Sequence, residues 1–234
     1  MLWIAAALAS DGDALLARMD AAANRGQDAH LVLDVTVVDR AGTRSEPRTL
    51  EIWQKGSDRR LVRFTAPARL AGTSLLTPDG DTVYLYLPAY GKPRRVIGDQ
   101  RGDAFMGTDF SLEDLSRLSF ADEYTATVEA DEGDVTRLKL LPKDPKAHRD
   151  AALRVWMREG DDLLAKVEYL SADGSVRRRL TLSDFKAADG RVLAHRLVAE
   201  DLANQKRTEA TVRAVDMDSG LSDGLFALTE LSKP

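Results

Sequence analysis

The hydrophobic period of this chain changes once, near residue 27, and that change limits the folds open to it. Between Asp11 and Ala23 the spacing is helical: Leu15, Leu16 and Met19 fall on one side, among alanines that favour helix. Asn24-Arg25-Gly26 is a C-terminal stop, since Gly26 can take positive φ. From His30 onward the period is two. Leu31, Leu33, Val35 and Val37 share a face, as do Leu50 and Ile52, Val62 and Phe64, and Val83, Leu85 and Leu87. Tyr84 and Tyr86 point the other way. Strand patterns continue over residues 122–130, 134–142, 151–158, 162–171, 174–186, 191–201 and 205–216. Asp79-Gly80, Asp173-Gly174 and Asp189-Gly190 separate them as hairpin dipeptides. Parallel strands need long crossovers, so the pattern predicts an antiparallel meander of about eleven to thirteen strands. No Pro-, Gly- or Ser-rich linker divides it, and it reads as one domain.

The alternation breaks between Gly98 and Leu118. A glycine-containing loop there leads into a short helix at Ser111, with Glu113 and Asp114 in its first turn. Ser111 or Asp109 can cap the free N–H groups, and Asp109 and Glu113 read as cap and helix-dipole residues rather than catalytic acids. A loop and helix inserted in a sheet protein often cover one face of the sheet.

Composition excludes several chemistries. The chain has 234 residues and no cysteine, so it has no disulfide framework, no thiolate metal site, no cysteine nucleophile and no cysteine-borne lipid anchor. A net charge of −5 argues against a nucleic-acid partner. The one basic run, Arg177-Arg178-Arg179, falls in a strand pattern, so two of the three share a solvated face. His30, His148 and His195 lie far apart without zinc-site spacing, and neither a Gly-x-Ser-x-Gly elbow nor a phosphate loop is present. No cofactor or metal is expected. A hydrolase with a sequence-distant site, for instance through His195, is a weaker alternative than a locally bonded strand histidine.

Residues 1–9 are apolar, end in the A-x-A sequence Ala7-Leu8-Ala9 and meet a polar break at Ser10-Asp11. They read as the remnant of a secretory signal lacking its basic start, or else as the apolar start of the first helix. The signal reading places the mature protein, residues 10–234, outside the cytoplasm.

Two segments carry a family pattern. One is Gly72-Thr73-Ser74-Leu75-Leu76 followed by Tyr84-Leu85-Tyr86-Leu87-Pro88-Ala89-Tyr90-Gly91-Lys92-Pro93-Arg94-Arg95-Val96. The other runs from Phe105-Met106-Gly107-Thr108-Asp109-Phe110 to Ser111-Leu112-Glu113-Asp114-Leu115. Together they resemble the outer-membrane lipoprotein-sorting proteins, the LolA-like periplasmic carriers, and in particular the branch associated with RND-type inner-membrane exporters. Leu221 to Leu228 resembles that family's short terminal helix.

The resemblance implies a strongly curved, incomplete antiparallel β-barrel. Its helices would cover the concave face and leave an apolar cavity for a lipid or the acyl chains of a lipoprotein. The cavity is then expected among Leu31, Leu33, Val35, Leu50, Ile52, Val62, Phe64, Val83, Leu85 and Leu87. Aliphatic linings suit acyl chains, and aromatics are only 6% of the chain. Phe105, Met106 and Phe110 are either a mobile lid or a fixed plug. Tyr90, Lys92, Arg94 and Arg95 either meet lipid phosphate or the exporter, or solubilise a turn. The implied function is periplasmic carriage between inner and outer membrane, with transient membrane contact. A lipid-sensing regulatory module on the same fold is the alternative.

Overall fold

The structure is a computed structural model that describes residues 2–233, with side chains described from residue 11 onward. Helix α1 spans Leu2–Ala23, and Gly26 takes φ +96° just beyond it. Met1 lies outside the described residues, as do the side chains of the expected cleavage site. Among the described residues, no helix is long and apolar enough to cross a membrane.

Among the described residues, thirteen strands form one open antiparallel sheet. The first six are β1 (Asp28–Val38), β2 (Arg48–Lys55), β3 (Arg59–Ala66), β4 (Ser74–Thr77), β5 (Val83–Tyr86) and β6 (Arg94–Val96). After the short helix α2 (Leu112–Ser116) come β7 (Tyr124–Asp131), β8 (Val135–Pro142), β9 (Ala152–Arg158) and β10 (Leu164–Leu170). The last three are β11 (Val176–Ala188), β12 (Arg191–Asp201) and β13 (Lys206–Met217). The order is β6-β5-β4-β3-β2-β1-β13-β12-β11-β10-β9-β8-β7, so two meanders join where the last strand pairs with the first. Edges β6 and β7 do not meet. Register shifts at Val32/Leu33 against β13 and Thr49/Leu50 against β3 are bulges, which bend and twist a sheet locally.

Two covers sit on the concave face. Leu16 and Met19 of α1 pack on Tyr124, Leu138, Leu153, Val155 and Val167 of β7–β10. Gly12 permits this approach, because a Cβ there would meet Ala126 O at 2.4 Å. The second cover is the segment 103–117. Its Phe105, Phe110, Leu112 and Leu115 fill the space over β1–β6. Outside the sheet, the C-terminal tail makes 3-10 turns at Asp223–Phe226 and Leu228–Glu230. There Phe226 and Leu231 pack on Leu61, Leu76 and Tyr86.

The run Arg177-Arg178-Arg179 is not merely a solvated patch. Arg177 pairs with Asp150 and Arg179 with Glu168, while Arg178 turns inward to Asp114 at 2.7 Å. The strand alternation that exposes its neighbours forces Arg178 to the inner face.

Candidate functional site

The two covers leave the middle of the concave face bare. There a half-open cavity of about 470 Å³ runs along the sheet between the end of α1 and the last three strands. Its walls are Leu31 and Leu33 of β1, Ile52 of β2, Leu182 and Phe185 of β11, Leu193 and Leu197 of β12, and Val212 and Met217 of β13. This is within the size range of small-molecule sites, roughly 300–1,000 Å³.

Register explains the lining. Across β13, β1, β2 and β3, one row of facing residues is Val215–Leu31–Ile52–Val62. The next row towards α1 is Met217–Ala29–Gln54–Arg60. The first row is aliphatic, and the second turns polar at Gln54 and Arg60, both of which line the cavity. The Arg60 guanidinium donates to Gln54 Oε1 from Nε at 3.2 Å and from Nη2 at 2.5 Å. It also donates to the carbonyls of Leu115 at 3.3 Å and Arg117 at 2.7 Å. Burial lowers its pKa to about 10.

The expected cavity residues divide. Leu31, Leu33 and Ile52 line the open space. Val35, Leu50, Val62, Phe64 and Val83 share that face but lie in closed core beneath the 103–117 segment. The face is the one that alternation assigns; how much of it stays open depends on where the covers end. Leu182, Phe185, Leu193 and Leu197, contributed by the last strands, were not among the expected lining residues. The apolar alternation of Leu180 and Leu182, and of Leu193 and Leu197, is the signal for three of them; Phe185 is out of phase and reaches the lining where the β11–β12 register skips Asp184, at φ +55°.

Leu85 and Leu87 join Tyr90, Lys92 and Arg94 around a second hollow of about 330 Å³. Tyr90 lies in a 3-10 turn, Pro88–Tyr90, and is 78% exposed. Arg95 is exposed beside it on β6.

The 103–117 segment packs as a plug. Phe105 is buried and stacks on Phe64 with centroids 5.2 Å apart, and Phe110 is buried beside it. Met106 is half-buried with φ +50°, and its carbonyl accepts from Arg48. Ser111 caps α2 in a reciprocal box with Asp114. Asp109 is therefore not the cap: its carboxylate accepts from Thr208 Oγ1 at 2.8 Å and pairs with Lys206 at 2.9 Å. Asp114 also accepts from the Tyr169 hydroxyl and from Arg178.

Glu113 is likewise more than a dipole residue. It is buried, bonds to Arg117 one turn on, and lies 2.8 Å from His148 Nδ1. The Tyr124 hydroxyl reaches both Glu113 and His148. Burial works against a charge on Glu113, but the Arg117 guanidinium and the His148 hydrogen bond hold its carboxyl well below the usual range. Burial and the Glu113 charge drive the Tyr124 phenol well above its own. Glu113, Glu123 and His148 place potential metal ligands within 4.8 Å of one another. Arg117 bonds to both carboxylates, so a guanidinium already supplies the positive charge there. His195 bonds locally, to the Leu193 carbonyl at 3.2 Å.

The geometry is thus a curved open sheet, plugged at both ends and hollow in the middle. Residues 56–233 match a family model that carries the description uncharacterized protein. A DUF1329 family protein from Desulfovibrio piger superposes with a TM-score of 0.84 at 25% identity, over 96% of this chain and 99% of that one. A domain from Vibrio parahaemolyticus assigned to outer membrane lipoprotein sorting gives 0.83 at 23% identity, over 96% and 100%. The chain belongs to the family of that model, and its fold is that of the LolA-like, outer-membrane lipoprotein-sorting proteins. A LolA superfamily protein from Nitrosomonas europaea shares this fold, with a TM-score of 0.75 at 17% identity over 92% and 97%. No curated protein matches the sequence.

Proposed function

We propose that this LolA-like protein is a periplasmic, non-catalytic carrier that shelters a lipid, or the acyl chains of a lipoprotein, on its way between inner and outer membrane. The cavity of about 470 Å³ carries this reading. Its wall is mainly apolar, with a polar edge at Gln54 and Arg60, and it is half-open to solvent, as a site that must load and unload requires. Each methylene taken from water contributes about 0.8 kcal/mol, so such a lining can hold a chain that water rejects. Residues 1–9 are read as the remnant of an export signal and residues 10–234 as one carrier domain.

The exposed hairpin around Tyr90, Lys92, Arg94 and Arg95 is the surface for the inner-membrane partner, an RND-type exporter. None of its three cations is paired with a carboxylate among the described residues, although the chain as a whole is acidic. Extraction of the purified protein with solvent, followed by mass spectrometry, tests the reading. Acyl lipid near one equivalent per chain is expected. Lipid-free protein that takes up no acyl probe would refute carriage.

A further inference from the structure

Arg60 is a half-buried cation on the polar edge of a largely apolar cavity. Its four hydrogen bonds go to neutral oxygens: Gln54 Oε1 twice, Leu115 O and Arg117 O. Among the described residues no carboxylate pairs with it, and desolvation is the cause of its lowered pKa. A guanidinium has five N–H donors, so one N–H on Nη2 is left without a protein acceptor.

The acids of the cavity wall are committed elsewhere. Asp28 accepts from the backbone N–H groups of Ser219, Gly220 and Leu221, and Asp161 pairs with Arg158. Arg191, at the rim, is already matched by Asp218. Arg25, also on the wall, is exposed to solvent, so the unpaired cation held within the cavity is Arg60, on the polar row beside Gln54 and next to the aliphatic row of Leu31 and Ile52.

We propose that the cavity selects an amphiphile with an anionic end group, a carboxylate or a phosphate, and that Arg60 neutralises that group while the chain lies along β1 and β11–β13. This rests on the carrier reading above and narrows it. A neutral alcohol or ester would leave the guanidinium buried without a counter-charge, which is costly in a low-dielectric site. An anion would convert that cost into a charge-assisted pair, and guanidinium geometry suits both carboxylate and phosphate.

The test titrates the delipidated full-length protein with palmitate, 1-palmitoyl lysophosphatidate and hexadecanol, which differ at the head. At least one anion is expected to bind about tenfold or more tighter than the alcohol, as a hydrogen bond to a charged group implies. Whichever anion is preferred identifies the head group. R60Q should bring that ratio close to one with little change for hexadecanol, and R60K should keep part of it. Because Arg60 also ties β3 to the plug, the wild-type ratio stands as a measurement that needs no variant. A wild-type ratio near one with all three ligands bound would overturn the proposal and leave the carrier reading intact, as would a folded R60Q with an unchanged ratio. If none of the three binds, the carrier reading itself fails.

Discussion

Glu113 joins four other side chains, and its charge state matters to the whole plug. Arg117, Glu123, Tyr124 and His148 surround it, and all but Glu123 are buried. Breaking a buried ion pair by removing one partner costs about 3–5 kcal/mol, since the other charge is left uncompensated. Glu113→Ala should lose stability in that range by urea denaturation. Desolvation opposes its charge, but Arg117 and His148 outweigh it, so the folded carboxyl titrates below the ordinary glutamate value of 4.5. A depressed acid gives stability that is present above pH 4.5 and is lost as the pH falls towards its folded value. Stability of the wild type should therefore fall in that acid window more steeply than that of Glu113→Gln; parallel curves would show that Glu113 does not carry the dependence. This cluster was illegible in the sequence. Residues 113 and 148 come together only when β7 and the loop before β9 close beside α2. Asp109 was misread for a similar reason: it sits at cap distance from α2 in sequence, but Thr208 and Lys206 of β13 claim it.

At the scale of elements, the period of two located most strands because each shows one face to the core. The strands that escaped were β4 and β6, of four and three residues. Runs that short show no period, and β4 is buried on both faces, so it lacks the alternation of a half-buried strand. The docking of α1 rests on Gly12, where any side chain would strike the backbone of β7. Gly12→Ala should destabilise by about 1–3 kcal/mol, the usual cost of overpacking. A thermal melt would check this; an unchanged midpoint would mean that α1 can shift away from the sheet. The basic hairpin is the opposite case. Lys92, Arg94 and Arg95 are exposed, so reversing all three to Glu should leave stability nearly unchanged, each within about 0.5 kcal/mol. If the hairpin meets the exporter, the same triple variant should lose capture by exporter-containing membranes in a co-sedimentation assay. Undiminished capture would remove the hairpin from the interface.

At the scale of the whole molecule, the concave face is divided. One half is covered by α1, another part by the 103–117 plug, and the stretch between them is hollow. Sequence could assign residues to the concave face but not to covered or open parts of it. Leu31 and Val35 obey the same alternation, yet only Leu31 borders the cavity, because the covers come from segments that the alternation does not describe. The central claim is that this hollow holds an acyl chain. It is tested most directly by titrating delipidated protein with a fluorescent fatty acid, in the wild type and in Leu193→Trp, which fills the cavity from β12. The account predicts saturable binding at one equivalent in the wild type and a loss of about tenfold or more in affinity in a variant that melts like the wild type, since the lining would no longer be free to remove the chain from water. Equal binding by both proteins, or none by the wild type, would contradict it.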